Sequence, residues 1–124
     1  QYFTEMKKMI SILQKFSNNT IILIVEDDKL VMNSLVKLLS IFFTDVNYAL
    51  TVADALIIYN QLLEKNFPII VITDINLGQK SGIDLTLRLK EINPIQKVIV
   101  ISGTEDRQIF IEAIRCGVDR FILK

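Results

Sequence analysis

Five residues of this sequence carry side chains that could do chemistry together if the fold brings them to one place. Glu26, Asp27, Asp74, Ser102 and Lys124 all lie at or just after the ends of short apolar runs. Three carboxylates that meet would repel one another unless a cation neutralised them. A hard, oxygen-seeking ion such as Mg²⁺ is held in this way, by few protein ligands and several waters. The residue types therefore indicate a magnesium site with a hydroxyl and an ammonium group beside it.

The chain contains no His, which excludes the commonest general base and every Ser–His or Cys–His nucleophilic pair. Cys116 is the single Cys, so no disulfide can form within the chain, and we interpret it as a small buried side chain. We interpret Asp28 as the N-cap of the helix that follows it. Any chemistry must then use carboxylates, hydroxyls and lysines.

Length and charge narrow the classes of protein further. The 124 residues are enough for one domain, and 51% hydrophobic residues can build its core without disulfides. Fourteen basic and fourteen acidic residues balance, so no overall field attracts nucleic acid. No apolar run approaches the roughly 18 residues that span a bilayer. We therefore expect a soluble, cytoplasmic domain that neither binds nucleic acid directly nor inserts into a membrane.

The elements that must position these side chains follow from the hydrophobic pattern. Short β-branched runs alternate with helical patterns, which is typical of a parallel sheet covered by helices on both faces. The predicted strands are 20–25, 45–49, 69–73, 97–101 and 120–123, with 45–49 at an edge of the sheet. The predicted helices begin after Asp28, at Thr51, at Ser81 or Gly82, and at Glu105, and they end near Leu39, Leu63, Asn93 and Cys116. The pattern predicts a three-layer α/β/α fold with a five-stranded parallel sheet.

Ligands of such sheets bind beyond the carboxyl ends of the strands. Each of the five chemical side chains follows a predicted strand at that end, so we expect them to converge at one edge of the sheet. An acidic residue after a strand is also a common helix cap, and that remains the alternative for each carboxylate taken alone.

Residues 1–19 precede the alternating pattern and form a separate segment. Apolar residues recur at helical spacing after Thr4, which predicts an amphipathic helix, and a polar break follows it. The apolar positions are Met6, Met9, Ile10, Leu13 and Phe16, and the break is Ser17–Asn19. The chain is thus divided into residues 1–19, an N-terminal helix or linker, and residues 20–124, the α/β domain.

Taken together, these residues closely resemble the receiver domain of two-component response regulators. The resemblance covers residues 20–124. The matching segments are Leu23–Asp28, Val71–Leu77 with Gly82 eight residues after Asp74, Val100–Gly103 and Phe121–Lys124. The resemblance implies a flavodoxin-like sheet with strand order 2-1-3-4-5.

By this resemblance, Asp74 is the phosphoacceptor, which takes a phosphoryl group from a phosphohistidine of a sensor histidine kinase or phosphotransfer protein. Mg²⁺, or Mn²⁺ in its place, would be bound by Asp27, by Glu26 through water, by Asp74 and by the backbone carbonyl of Asn76. Lys124 would pair with a phosphoryl oxygen. The domain would then be a signalling phosphoacceptor that assists its own phosphorylation and dephosphorylation, and not an enzyme with a released product.

The resemblance also implies a switch. Ser102 would bond the phosphoryl group and draw the following loop inward. Phe121 would rotate on the surface formed by the fourth strand, the helix after it and the fifth strand, although Phe121 could equally be an ordinary strand aromatic. Asn76 and Thr104 occupy the two positions that tune how fast water removes the phosphoryl group.

The sequence departs from the family pattern at two places. Gly78 stands where the family usually has Pro, which we expect to loosen that loop.

The second departure concerns the family's last helix, which would follow Lys124, the final residue given. The N-terminal helix could fill its groove, within one chain or by exchange between two chains in a homodimer. Alternatively, residues 1–19 are a linker from a preceding domain, as in a hybrid kinase, or the last helix lies outside the given residues. Because the sequence begins with Gln1, we expect it to be a piece of a longer chain.

Three other functions compete with this prediction. A receiver-like interaction domain that no longer uses phosphate is the main alternative, which the five intact site residues disfavour. A Toprim-like metal-dependent nuclease module would need a second acid where Asn76 stands, and it would leave Ser102 and Lys124 unexplained. A haloacid-dehalogenase-like phosphatase would also need an acidic residue two positions after Asp74, where this sequence has Asn76. The kinase, the signal and the output cannot be predicted from these residues.

Overall fold

A computed structural model of the chain describes residues 2–13, 19–77, 80–103 and 106–123. The five helices in these ranges are α1 (Tyr2–Leu13), α2 (Lys29–Ser40), α3 (Val52–Leu63), α4 (Gly82–Ile92) and α5 (Arg107–Arg115). The strands are β1 (Ile21–Val25), β2 (Asp45–Ala49), β3 (Ile69–Asp74), β6 (Lys97–Ser102) and β7 (Arg120–Leu123), with a short hairpin of β4 (Asn76–Leu77) and β5 (Lys80–Ser81). The predicted α/β fold is confirmed. None of the helices in these ranges is long and apolar enough to cross a bilayer.

The five long strands form one parallel sheet in the order β2-β1-β3-β6-β7. This is the predicted order 2-1-3-4-5, once the β4–β5 hairpin is counted apart. Strands β1 and β3 are buried along their whole length, as expected of central strands that helices cover on both faces.

Two apolar layers enclose the sheet. Because successive strand residues point to opposite faces, Leu23 and Val25 pack towards α3 and α4, whereas Ile22 and Ile24 pack towards α2. Helix α1 lies on the α2 face. The sheet therefore has helices on both sides, and its strand ends are left to form a site.

The helices that flank the site begin where their capping residues predict. The Asp28 carboxylate accepts hydrogen bonds from the backbone N–H groups of Leu30 and Val31, at 2.9 and 3.2 Å. Thr51 caps α3, and Ser81 caps α4 in a capping box with Asp84. These caps fix where each helix leaves the sheet edge.

Helix α5 begins two residues later than predicted. Asp106 is the residue that caps it, since its carboxylate accepts a hydrogen bond from Gln108 N–H at 2.9 Å. The predicted start, Glu105, lies outside the described residues. At its other end, the helix is followed by Gly117 at φ 90°, a left-handed conformation that suits glycine.

Helix α1 packs onto the last strand of the sheet. Its residues Ile10 and Leu13 are buried, at 4% and 1% exposure, in the same apolar cluster as Ile122 of β7. Lys7 and Ser11, on the same helix, are exposed. The helix thus covers β7 within its own chain. Phe16 and the polar residues Ser17 and Asn18 lie outside the described residues, and the predicted boundary after residue 19 remains a prediction.

We expect Leu13→Ala to destabilise the whole domain, because it opens a cavity between α1 and the sheet. The free energy of unfolding should fall by about 2–5 kcal/mol, as for other buried leucines. Urea unfolding followed by circular dichroism would measure it. Ser11→Ala, at an exposed position of the same helix, is the control and should leave the midpoint unchanged. If Leu13→Ala unfolds with the wild-type midpoint, α1 does not pack on the sheet in solution.

Candidate functional site

Three carboxylates meet at the carboxyl edge of the sheet. Oxygens of Glu26, Asp27 and Asp74 all lie within 4.8 Å of one another. Glu26 and Asp74 are buried, at 1% and 8% exposure, and Asp27 is exposed. The cluster is therefore open to solvent on the side of Asp27 and enclosed by the protein on the side of Glu26.

The pairing of β1 with β3 brings these carboxylates together. Val25 and Thr73 are partners in the parallel ladder, so the next residue of each strand, Glu26 or Asp74, lies at the same level of the sheet. The backbone N–H of Glu26 donates to the carbonyl of Ala49 at 3.1 Å, which holds the end of β1 against β2. Asp28 caps α2 and is not part of the cluster, as predicted.

The donor set fits a divalent cation that prefers oxygen. Mg²⁺ binds oxygens at about 2.0–2.1 Å in an octahedron, so two opposite ligands lie about 4.2 Å apart. The three carboxylate oxygens lie within 4.8 Å of one another, which is compatible with that span. Waters would complete the octahedron, as they usually do for Mg²⁺. The chemistry of these ligands would suit Mg²⁺ or Mn²⁺.

Ser102 lies on the other side of Asp74 from the acidic pair. It is the last residue of β6 and is fully buried. Strand β6 pairs with β3 through Asp74 and Ile101, and the Ile75 N–H donates to the Ile101 carbonyl at 3.0 Å. Since β3 lies between β1 and β6, Asp74 stands between the acidic pair and the hydroxyl.

Several predicted site residues lie outside the described ranges. They are Gly78, Thr104 and Lys124. The register pairs Ser102 with Leu123 on β7, so the described chain leads to this edge directly before Lys124. Asn76 is described: it is exposed, belongs to β4 and pairs with Ser81 of β5.

Phe121 lies on β7, away from the carboxylates. It is half-buried against the α3–α4 layer. Its ring meets that of Phe110 on α5 edge to face, with centroids 5.2 Å apart and an interplanar angle of 78°. Such a pair is a favourable geometry for two aromatic rings. The contact joins β7 to α5 on the face opposite α1.

Gly82 and Thr73 contact the backbone of Asp74, a role that the sequence analysis did not assign to them. A Cβ on Gly82 would overlap the carbonyl oxygen of Asp74, and the Gly82 N–H donates to the Ile75 carbonyl at 2.7 Å. The hydroxyl of Thr73 donates to the Asp74 carbonyl at 2.9 Å. The spacing of Gly82 from Asp74 was a usable signal, whereas Thr73 looked like an ordinary strand residue.

Polar side chains away from the carboxylate cluster have structural roles. At the amino end of the sheet, the Tyr59 hydroxyl donates to Gln96 at 2.6 Å, and the Gln96 amide donates to the Ile69 carbonyl at 2.7 Å. Burial raises the pKa of Tyr59, so its hydroxyl stays a neutral donor. The half-buried Cys116 thiol donates to the Ala113 carbonyl, and burial raises its pKa as well. A raised thiol pKa disfavours the reactive thiolate.

The sequence of the chain is similar to a family model and to a known protein. A family model described as the response regulator receiver domain matches residues 22–124. The chain is 39% identical over 57 residues to the chemotaxis protein CheY of Thermotoga maritima. The aligned segment covers 46% of this chain and 48% of the relative. The match thus spans about half the length of that relative.

Solved structures extend the similarity to most of the chain. The N-terminal domain of an uncharacterized protein from Wolinella succinogenes superimposes with a TM-score of 0.76 at 31% identity, covering 85% of this chain and 82% of the other. A response regulator receiver domain protein from Clostridium thermocellum gives the same TM-score and coverage at 27% identity.

We expect Asp27→Asn to weaken Mg²⁺ binding about ten-fold or more, because it removes one charged ligand of the cluster. Isothermal titration calorimetry with MgCl₂ would measure the change. Asp28→Asn is the matched control: the neighbouring carboxylate caps α2, Asn is an equally good cap, and Mg²⁺ affinity should stay at the wild-type value. Equal Mg²⁺ affinity in all three proteins would show that the cluster does not bind the ion.

Proposed function

Because this chain belongs to the response regulator receiver domain family, we propose that it is a phosphoacceptor whose acceptor residue is Asp74. The phosphoryl donor is a phosphohistidine of a sensor histidine kinase or phosphotransfer protein. The observation that carries the proposal is the cluster of Glu26, Asp27 and Asp74, whose carboxylate oxygens lie within 4.8 Å of one another. The given residues contain no His, so the donor imidazole lies outside them.

The position of Asp74 supports it as the acceptor among the three carboxylates. Asp74 ends the central strand β3, so it has the acidic pair on the β1 side and Ser102 on the β6 side. A phosphoryl group on Asp74 would thus lie between groups of different chemistry. Glu26, at 1% exposure, is less accessible to a partner's phosphohistidine.

The transfer exchanges one bond for another. A carboxylate oxygen of Asp74 forms a bond to phosphorus while the phosphorus–nitrogen bond of the phosphohistidine breaks, and the imidazole leaves with the electron pair of that bond. Mg²⁺ held by Asp27, by Asp74, by the backbone carbonyl of Asn76 and, through water, by Glu26 would offset the negative charge of the phosphoryl oxygens. The residues themselves position the acceptor, which is the main contribution of a protein to phosphoryl transfer.

Ser102 and Lys124 are the proposed contacts of the phosphoryl oxygens. The Ser102 hydroxyl is fully buried at the end of β6, so a hydrogen bond to a phosphoryl oxygen would be shielded from water. Lys124 follows Leu123, the partner of Ser102 in the ladder, and its ammonium would pair with another oxygen. Asn76 and Thr104 are proposed to set the rate at which water removes the phosphoryl group.

The consequence of phosphorylation is a change of surface. We propose that Ser102 moves with its loop towards the phosphoryl group and that Phe121 changes its packing against Phe110 on α5. The signalling output is an altered affinity for a partner, as in other switches that are driven by a local change of charge. We place the domain in the cytoplasm, and exchange of α1 in a homodimer remains a hypothesis.

We expect acetyl phosphate and Mg²⁺ to add one phosphoryl group to the wild-type chain and none to Asp74→Asn, which keeps the size of the side chain but loses the nucleophilic carboxylate. Intact mass spectrometry before and after incubation would detect the gain. Omission of Mg²⁺ should slow the reaction strongly.

Asp28→Asn is the control for this experiment, since it removes a nearby carboxylate that only caps α2, and it should be phosphorylated like the wild type. No gain in a folded wild-type protein would refute the proposal and favour a phosphate-independent interaction domain. A gain that persists in Asp74→Asn would place the phosphoryl group elsewhere.

We expect Ser102→Ala to accept a phosphoryl group and yet lose most of the surface change, because the hydroxyl that links the phosphoryl group to the end of β6 is missing. Hydrogen–deuterium exchange of residues 106–123, with and without phosphorylation, would measure the change. Ser102→Thr keeps the hydroxyl and should keep the difference in exchange. A full difference in Ser102→Ala would show that Ser102 does not transmit the switch.

A further inference from the structure

The peptide bond that follows the phosphoacceptor is held by a buried hydroxyl. Thr73 is fully buried, and its Oγ1 donates a hydrogen bond to the carbonyl oxygen of Asp74 at 2.9 Å. The acceptor residue is the neighbour of the donor in sequence. The bond therefore restricts the backbone torsion between the two residues and, with it, the direction in which the Asp74 side chain leaves the strand.

Thr73 itself has little freedom to move. It pairs with Val25 on one side and with Val100 on the other, in the middle of the sheet. Strand alternation places its side chain on the face of Val71, which packs in the α3–α4 layer. A β-branched side chain in such a position has few rotamers. The hydroxyl is thus a fixed point from which the Asp74 carbonyl can be held.

The start of helix α4 contacts the same peptide. Gly82 lies so close to the Asp74 carbonyl that a Cβ would overlap it, and its N–H donates to the Ile75 carbonyl at 2.7 Å. The Asp74 carbonyl is therefore contacted both by the Thr73 hydroxyl and by the start of α4. An oxygen of the Asp74 carboxylate lies within 4.8 Å of oxygens of Glu26 and Asp27, and the orientation of this peptide helps to set the direction of that side chain.

We propose that Thr73 is a positioning residue for phosphoryl transfer: its hydroxyl fixes the Asp74 backbone so that the carboxylate is aligned for in-line attack. This inference rests on the proposed function of Asp74. Transfer between a bound donor and a carboxylate depends steeply on alignment, since a displacement of about 1 Å can cost about a hundred-fold in rate. The bond is buried and hence protected from competition by water.

The test is the maximal rate of Asp74 phosphorylation by acetyl phosphate in Thr73→Val, which replaces the hydroxyl by a methyl group of similar size. We expect a loss of about ten-fold in the maximal rate. The donor concentration at half-maximal rate should stay unchanged, because Thr73 does not touch the donor. Thr73→Ser retains Oγ and should react within about two-fold of the wild type.

Thr86→Val is the matched control. Its hydroxyl is also fully buried and donates at 2.7 Å, but to the Gly82 carbonyl within α4. A similar loss of stability is expected, measured by urea unfolding, without the loss of rate. If Thr73→Val reacts at the wild-type rate, or if Thr73→Ser or Thr86→Val is slowed as much as Thr73→Val, the positioning role is overturned.

The two proposals fail in different ways. A wild-type protein that takes no phosphoryl group on Asp74 overturns the proposed function and the role of Thr73 together. A wild-type protein that reacts while Thr73→Val reacts equally fast overturns only the role of Thr73. A ten-fold slower Thr73→Val with an unchanged half-saturating donor concentration and a normal Thr73→Ser supports both.

Discussion

The parallel pairing of β3 with its two neighbours is the interaction on which the rest of the structure depends. Thr73 is paired with Val25 on β1 and with Val100 on β6. A slip of one residue in either ladder would turn each side chain of the moved strand to the other face of the sheet. The three carboxylates would separate, and apolar residues of β3 would lose their partners in both layers. The register that builds the core is thus also the register that builds the site.

This coupling has an electrostatic cost at the edge of the sheet. Glu26 and Asp74 are buried next to each other and next to Asp27, and like charges at this distance repel each other. Burial of a carboxylate is unfavourable unless bonds or an opposite charge compensate for it. The apolar layers on both faces stabilise the fold in the presence of this repulsion, and a bound cation would add to that stability by mass action. Residues that serve function at the expense of stability are common in binding sites.

The sequence predicted the elements and the meeting of the three carboxylates, because both follow from local patterns. Continuous β-branched runs identified β1, β3 and β6, and Asp28 was correctly separated from the cluster because a cap precedes its helix directly. The start of α5 was placed at Glu105, whereas in the structure Asp106 caps the helix and the first helical residue is Arg107. The β4–β5 hairpin was not predicted, since strands of two residues have no detectable periodicity.

Contacts between distant or unpatterned residues were beyond sequence reasoning. The bond from Thr73 to the Asp74 carbonyl depends on one side-chain rotamer near the end of a strand. Thr is common in strands because of its branched shape alone, so its presence there did not indicate a hydrogen bond. The helical spacing of residues 4–16 predicted an apolar stripe for α1 but not the surface that it covers. That surface is defined only once the sheet exists, because Ile122 comes from the far end of the chain.

The contact between α1 and β7 links the first helix to the site. Successive residues of β7 point to opposite faces: Ile122 shares a cluster with Ile10 and Leu13 of α1, and Phe121 meets Phe110 of α5. The next residue, Leu123, pairs with Ser102. A four-residue strand at the edge of a sheet has few ladder bonds of its own, so packing on its two faces must hold it in place. Helix α1 lies outside the residues that the family model matches, and it nevertheless supports the strand on which the Ser102 side of the site depends.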